Sequence, residues 1–181
     1  WGGDVVYLAA SDFTTPLTLF ALDLNVMELT VMRRQPQQFV SDDLEVRQFW
    51  AVSSDGERIP YFHVGKNAAP DTQTLVYAYG GFGVPELPHY LGSIGKYWLE
   101  EGNAFVLANI RGGGEFGPRW HQAAQGISKH KSVDDLIAVV RDLSERGMSS
   151  PQHIGLQGGS NGGLITAAAF VREPQSIGAL V

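Results

Sequence analysis

Three continuous apolar runs, each leading into glycines, constrain this chain more than any other feature. Residues 75–79 (Leu-Val-Tyr-Ala-Tyr) lead into Gly80 and Gly81. Residues 104–110 lead into Gly112, Gly113 and Gly114, and the shorter run 154–157 leads into Gly158 and Gly159. A strand with one wet face alternates apolar and polar side chains; an unbroken apolar run is buried on both faces. Helical periodicity lies between the runs. Val133, Leu136, Ile137, Val140 and Leu143 recur at helical spacing, and Ser132 with Asp135 resembles a capping box. Gly147 then ends that helix and Pro151 follows. An alanine-rich helix is expected over 162–172 and a further strand over 176–181. Doubly buried strands alternating with helices define an α/β class with a mostly parallel sheet and flanking helices.

The first forty residues follow another pattern. Short apolar runs at 5–9, 17–24 and 27–32, with a turn cluster at 12–16, predict an antiparallel meander. Three strands bury little of their own surface, so this ribbon is expected to pack on something outside the chain. The polar stretch 33–43, which contains Pro36, sets a boundary that divides the chain into residues 1–41 and 42–181. Runs 45–53 and 57–64, joined by Ser54-Asp55-Gly56, read as a hairpin, and 66–73 as a polar linker.

Composition narrows the partners. Thirteen basic against nineteen acidic residues give a net charge of −6, and no basic cluster stands out, which argues against nucleic acid or an anionic membrane as partner. No apolar run reaches the roughly 18 residues of a membrane-spanning helix. The absence of cysteine removes disulfides, thiolate metal sites and a cysteine nucleophile, and fits a reducing or an oxidising compartment equally. The chain starts at Trp1 and ends inside an expected strand, so both ends read as cut and targeting signals go unread.

The third apolar run carries the chemistry. Gly158-Gly159-Ser160-Asn161-Gly162 fits G-x-S-x-G between a strand and a helix, the setting of a nucleophile elbow. Such a turn is tight enough to demand small neighbours at Gly158 and Gly162, and it lifts the Ser160 hydroxyl above the sheet over a helix N-terminus whose N–H groups face a developing oxyanion. The bland alternative is a glycine-rich turn that only packs closely. Tyr79-Gly80-Gly81-Phe82-Gly83, closing the first run, stands where this architecture supplies the rest of the oxyanion site; it also reads as an ordinary turn. Residues 112–117 contain G-x-G-x-x-G, but no apolar helix opens directly after them and Asp134 falls at a helix start, so no dinucleotide cofactor is expected. No metal-ligand spacing occurs.

A serine nucleophile needs a base. Of the five histidines, His63 lies in the hairpin and His89 in a loop. His153 is separated from Ser160 by about 20 Å of extended chain, too far to serve. His121 and His130, in the long connection, remain as candidates or as packing residues. In this fold the order is serine, acid, histidine. After Ser160 there is no histidine, and Glu173, the only acid, lies at the far end of a helix about 16 Å long. The triad is therefore not completed in the usual way within these residues.

Taken together, Tyr77-Ala78-Tyr79-Gly80-Gly81-Phe82, Arg111-Gly112-Gly113-Gly114-Glu115-Phe116-Gly117 with Trp120-His121, and Gly158 to Gly163 resemble the prolyl oligopeptidase family of serine peptidases, in its order and spacing. Ala78 departs from the glycine of the pattern. The resemblance implies that residues 1–41 are the end of a β-propeller and 42–181 the first half of an α/β-hydrolase catalytic domain. It implies Ser160 as nucleophile, the Asn161 N–H and the Tyr79 phenol as oxyanion hole, Phe82 as a wall of the S1 pocket, a peptide as substrate, and no cofactor. It places the catalytic Asp and His in a C-terminal half absent here, so the chain by itself is expected to be nearly inert and to pack normally against the remainder of its own polypeptide. A related dipeptidyl or acylaminoacyl exopeptidase, an esterase, and a non-catalytic truncated fragment are the rival readings.

Overall fold

A computed structural model describes residues 3–181. Strands β1 (Val5–Ala10), β2 (Thr18–Asp23) and β3 (Glu28–Arg34) form the expected antiparallel meander. Aspartates close both turns. Asp12 accepts the N–H groups of Thr14 at 2.8 Å and Thr15 at 2.6 Å, and Asp23 accepts that of Asn25 at 2.8 Å. Side chains on both faces of this sheet are bare: Val5 and Tyr7 on one face, and Val6, Leu8, Leu29 and Val31 on the other, are exposed.

The second sheet has six strands in the order β4-β5-β7-β6-β8-β9: β4 (Glu45–Val52), β5 (Arg58–Gly65), β6 (Thr74–Ala78), β7 (Ala104–Ala108), β8 (Ile154–Gln157) and β9 (Ala179–Leu180). The hairpin β4–β5 joins antiparallel through β5 to β7, and the remaining pairs are parallel. Gly56 takes the left-handed position of the hairpin turn at φ +85°, and Asp55 does not need it.

Every residue of β7 is inaccessible to water, as its lack of alternation requires, whereas β6 and β8 are buried on one face and half-buried on the other, at Leu75, Tyr77, Gly155 and Gln157. One face packs on α3 (His130–Glu145) and α4 (Asn161–Arg172), through Leu136, Val139, Val140, Leu143 and Ile165. The other face is covered by a short helix, α1 (Gly92–Ile94), running into a π-helical stretch Gly95–Leu99, and by Phe13 and Phe39 from the N-terminal segment. Phe13 stacks at a tilt on Phe62, with ring centroids 5.4 Å apart.

Three local expectations give way to tertiary contacts. The capping box does not form: α3 begins at His130, and Ser132 instead donates to the Arg111 carbonyl at 2.7 Å while Asp135 receives the Arg111 guanidinium. A short helix, α2 (Pro118–Gln122), stands where none was expected; Pro118 suits its first turn and the buried Trp120 anchors it, donating to the Ile110 carbonyl at 3.1 Å. Over 176–181 only Ala179–Leu180 is strand, because Pro174–Ser176 first makes a 3-10 turn.

Candidate active site

Strand order positions the site. The chain leaves β6 to form β7 on one side and returns past it to form β8 on the other, so β6 lies between them. Loops leaving β6 and β8 therefore meet at the carboxyl ends of the strands, the place where open α/β sheets hold their ligands.

Ser160 follows β8 and immediately precedes α4, with φ +53° and ψ −115°. A non-glycine residue at positive φ is strained, by about 1–3 kcal/mol, and persists only where its surroundings enforce it. Here they do. A methyl at Gly158 would collide with the carbonyl of Gly162, and one at Gly162 with the carbonyl of Ala78. The turn is thus clamped between its own helix and the end of β6, and Ser160 is left exposed at the start of a twelve-residue helix.

The next residue binds the two loops together. The Asn161 side-chain amide donates to the Tyr79 carbonyl at 2.6 Å. Gly81 is buried against that same amide, and a methyl there would overlap it. Phe82 follows at φ +55° and is 76 % exposed. Tyr79, Phe82, Ser160 and Asn161 are thereby brought to adjoining loops. The role of the Asn161 side chain was missed in the sequence, where only its backbone N–H had a reason to matter.

The Arg111 to Gly117 loop flanks the site as a structural element. Arg111 is only 3 % exposed; its guanidinium binds Asp135 at 2.6 Å, Asp55 at 2.7 Å and Ser53 at 3.2 Å, tying the hairpin to α3. The Asp55 carboxyl is held well below the usual carboxylate range, first by its hydrogen bond to Arg111. Gly83 donates to the Gly112 carbonyl at 3.1 Å, and Glu86 to the Glu115 carboxyl at 3.0 Å, so the loop after Phe82 is pinned to this one. Burial pushes the Glu115 carboxyl upward.

Among the described residues neither remaining histidine candidate is hydrogen-bonded to Ser160, and His121 has both ring nitrogens engaged elsewhere. His121 Nδ1 lies 2.8 Å from the Gly112 carbonyl and must donate to it, and Nε2 lies 2.6 Å from the Gln125 amide, which it accepts. His130 turns its Nδ1 to the Ile127 carbonyl at 2.9 Å, at the start of α3. His63 is buried in β5 and His153 pairs with Ser150 at 2.9 Å.

A serine on a strained strand-to-helix bend, at a point where parallel strand order reverses, defines the α/β-hydrolase class. The chain belongs to the prolyl oligopeptidase family, whose profile matches residues 91–181. It is 40 % identical over 181 residues to the uncharacterized peptidase y4nA of Sinorhizobium fredii, covering 98 % of this chain and 25 % of that protein. The structure of a post-proline cleaving enzyme from Rickettsia typhi superposes with a TM-score of 0.89 at 36 % identity, over 98 % of this chain and 26 % of that one. Prolyl oligopeptidase B from Galerina marginata, bound to a 25mer macrocyclization substrate, superposes with a TM-score of 0.91 at 32 % identity, over 98 % and 26 %. The chain spans about a quarter of the length of the curated relatives it matches.

Proposed function

We propose that this chain is the nucleophile-bearing part of a serine peptidase that cleaves short peptides on the carboxyl side of proline. Ser160 attacks the scissile carbonyl and forms an acyl-enzyme, which water then hydrolyses. The Asn161 N–H and the Tyr79 phenol receive the tetrahedral oxyanion, and Phe82 walls the pocket for the proline ring. Residues 1–41 are the end of a propeller and 42–181 the first half of the catalytic domain. The acid and base that complete the triad come from beyond residue 181, and the bare faces of β1–β3 pack against the rest of the same polypeptide.

The observation that carries this reading is the strained, exposed conformation of Ser160 at φ +53°, clamped by Gly158 and Gly162. Family membership supports the peptidase chemistry, and the post-proline cleaving enzyme of Rickettsia typhi, at 36 % identity, supports the specificity. A peptide-bound relative supports the substrate class.

The test uses an N-blocked Gly-Pro fluorogenic amide. The product of the whole reading frame should turn it over, Ser160→Ala should abolish this, and replacing proline by alanine in the substrate should lower kcat/KM at least tenfold. Residues 1–181 alone should be slower than the whole protein by about 10⁶-fold, the loss seen when a serine protease lacks its base. Robust Ser160-dependent turnover by residues 1–181 would overturn the assignment of the base to another segment.

A further inference from the structure

The carbonyls of Tyr79 and Gly80 are consecutive, and each is held by a charged or polar side chain from a different helix. Asn161, first residue of α4, holds the Tyr79 carbonyl at 2.6 Å. Lys129, immediately before α3, donates its ammonium to the Gly80 carbonyl at 2.6 Å, and Ser132 Oγ lies 3.5 Å from the same oxygen. Gly80 sits at φ +57°, which turns its carbonyl onto Gly112; a methyl on Gly112 would collide with it.

Lys129 is an expensive choice for so ordinary a bond. Its side chain is half-buried, and among the described residues it makes no ion pair. Burial alone acts on its ammonium and pushes its pKa down, with no carboxylate offsetting the cost. Lys66, Lys96 and Lys131 each face a carboxylate instead. A partly desolvated ammonium bound to a backbone carbonyl makes a charge-assisted hydrogen bond, shorter and stronger than a neutral one. It acts on the Gly80–Gly81 peptide unit, directly after the Tyr79–Gly80 unit that Asn161 holds.

We infer that Lys129 is a positioning residue for the oxyanion hole, locking the backbone from Tyr79 to Gly81 so that the Tyr79 phenol and the Asn161 N–H address the same oxyanion. The inference rests on the functional reading above. Lys129 touches no substrate in it; it acts through Tyr79. A misplaced donor loses its value steeply, because transition-state stabilisation depends on donors already aimed at the oxyanion.

The experiment measures kcat and KM on the N-blocked Gly-Pro amide for the whole protein, with the thermal melt of each variant recorded. Lys129→Met keeps the aliphatic stem and removes the charge; it should lower kcat about tenfold and leave KM within about twofold. Lys129→Gln, a second uncharged variant, should behave alike, and Lys129→Arg should recover kcat to within about threefold of wild type. Tyr79→Phe should lose about 100-fold, and adding Lys129→Met to it should cost no more than about twofold further, since two residues acting through one donor are not additive. The inference is overturned by wild-type kcat in both uncharged variants, by losses that multiply in the double variant, or by loss of cooperative melting in all three Lys129 variants, which would assign the residue to the fold. An active Ser160→Ala enzyme overturns the functional reading itself; an inert one beside an unaffected Lys129→Met overturns this inference alone.

Discussion

Single residues in this protein are constrained by what stands next to them more than by their own chemistry. Gly162 shows it: a methyl there would meet the backbone of Ala78 and Tyr79, which cannot yield. Gly162→Ala should destabilise the fold by about 1–3 kcal/mol, the usual range for overpacking, and lower the melting temperature, whereas Gly159→Ala, with open space around its position, should not. His63 shows the same dependence through charge. Desolvation, assisted by the Arg47 cation, pulls its imidazole down to about 4, and its Nε2 is buried without a partner. Unfolded, the ring takes a proton near pH 6.5; folded, it refuses one until about pH 4. Its contribution is therefore complete above pH 6.5 and drains away as the pH falls through that window, by about 3 kcal/mol in all. Melts between pH 7.5 and 4.5 should show this slope, and His63→Leu should flatten it.

Among elements, helix α3 has a role beyond covering the sheet. Asp135 is fully buried on it and holds the Arg111 guanidinium, the Arg111 N–H at 2.9 Å and the Ser53 hydroxyl at 2.7 Å. Its first two turns thus join the hairpin, the glycine loop after β7 and, through Ser132, the loop after β6. Removing one partner of a buried pair strands the other charge, which costs about 3–5 kcal/mol. Arg111→Met should show that loss in urea unfolding, and Arg111→Met with Asp135→Leu should recover part of it. The amphipathic spacing of α3 was legible in the sequence; its start was not. Ser132 and Asp135 have the right types for a local cap, and the carbonyl and guanidinium of Arg111, brought in from the loop after β7, outcompete the backbone N–H groups. The same reason hid α2 and the helix at Gly92–Ile94, which are short and owe their form to Trp120, Leu91 and Leu99 in the core.

At the scale of the molecule, apolar surface is left over. Both faces of the β1–β3 sheet are bare, and Leu164 and Val171 on α4, with Leu180 and Val181 at the last strand, are exposed. Contiguous apolar patches and open strand edges invite association. Residues 1–181 produced alone should therefore self-associate in sedimentation velocity, and the product of the whole reading frame should not. A monodisperse monomer that melts cooperatively would count against the packing of this surface on the rest of the polypeptide.

By itself the sequence determined the class of fold and the place of the serine. Burial on both faces leaves no alternation, helices leave their own period, and a bend as tight as that at Ser160 admits only small neighbours; each of these is a local demand written in consecutive residues. The tertiary structure alone decided that the loops after β6 and β8 adjoin, that the Asn161 side chain binds Tyr79, and that Lys129 reaches Gly80 across 49 positions of chain. Those contacts depend on which strands lie side by side, and strand order is settled by how whole layers pack, which no stretch of neighbouring residues can record.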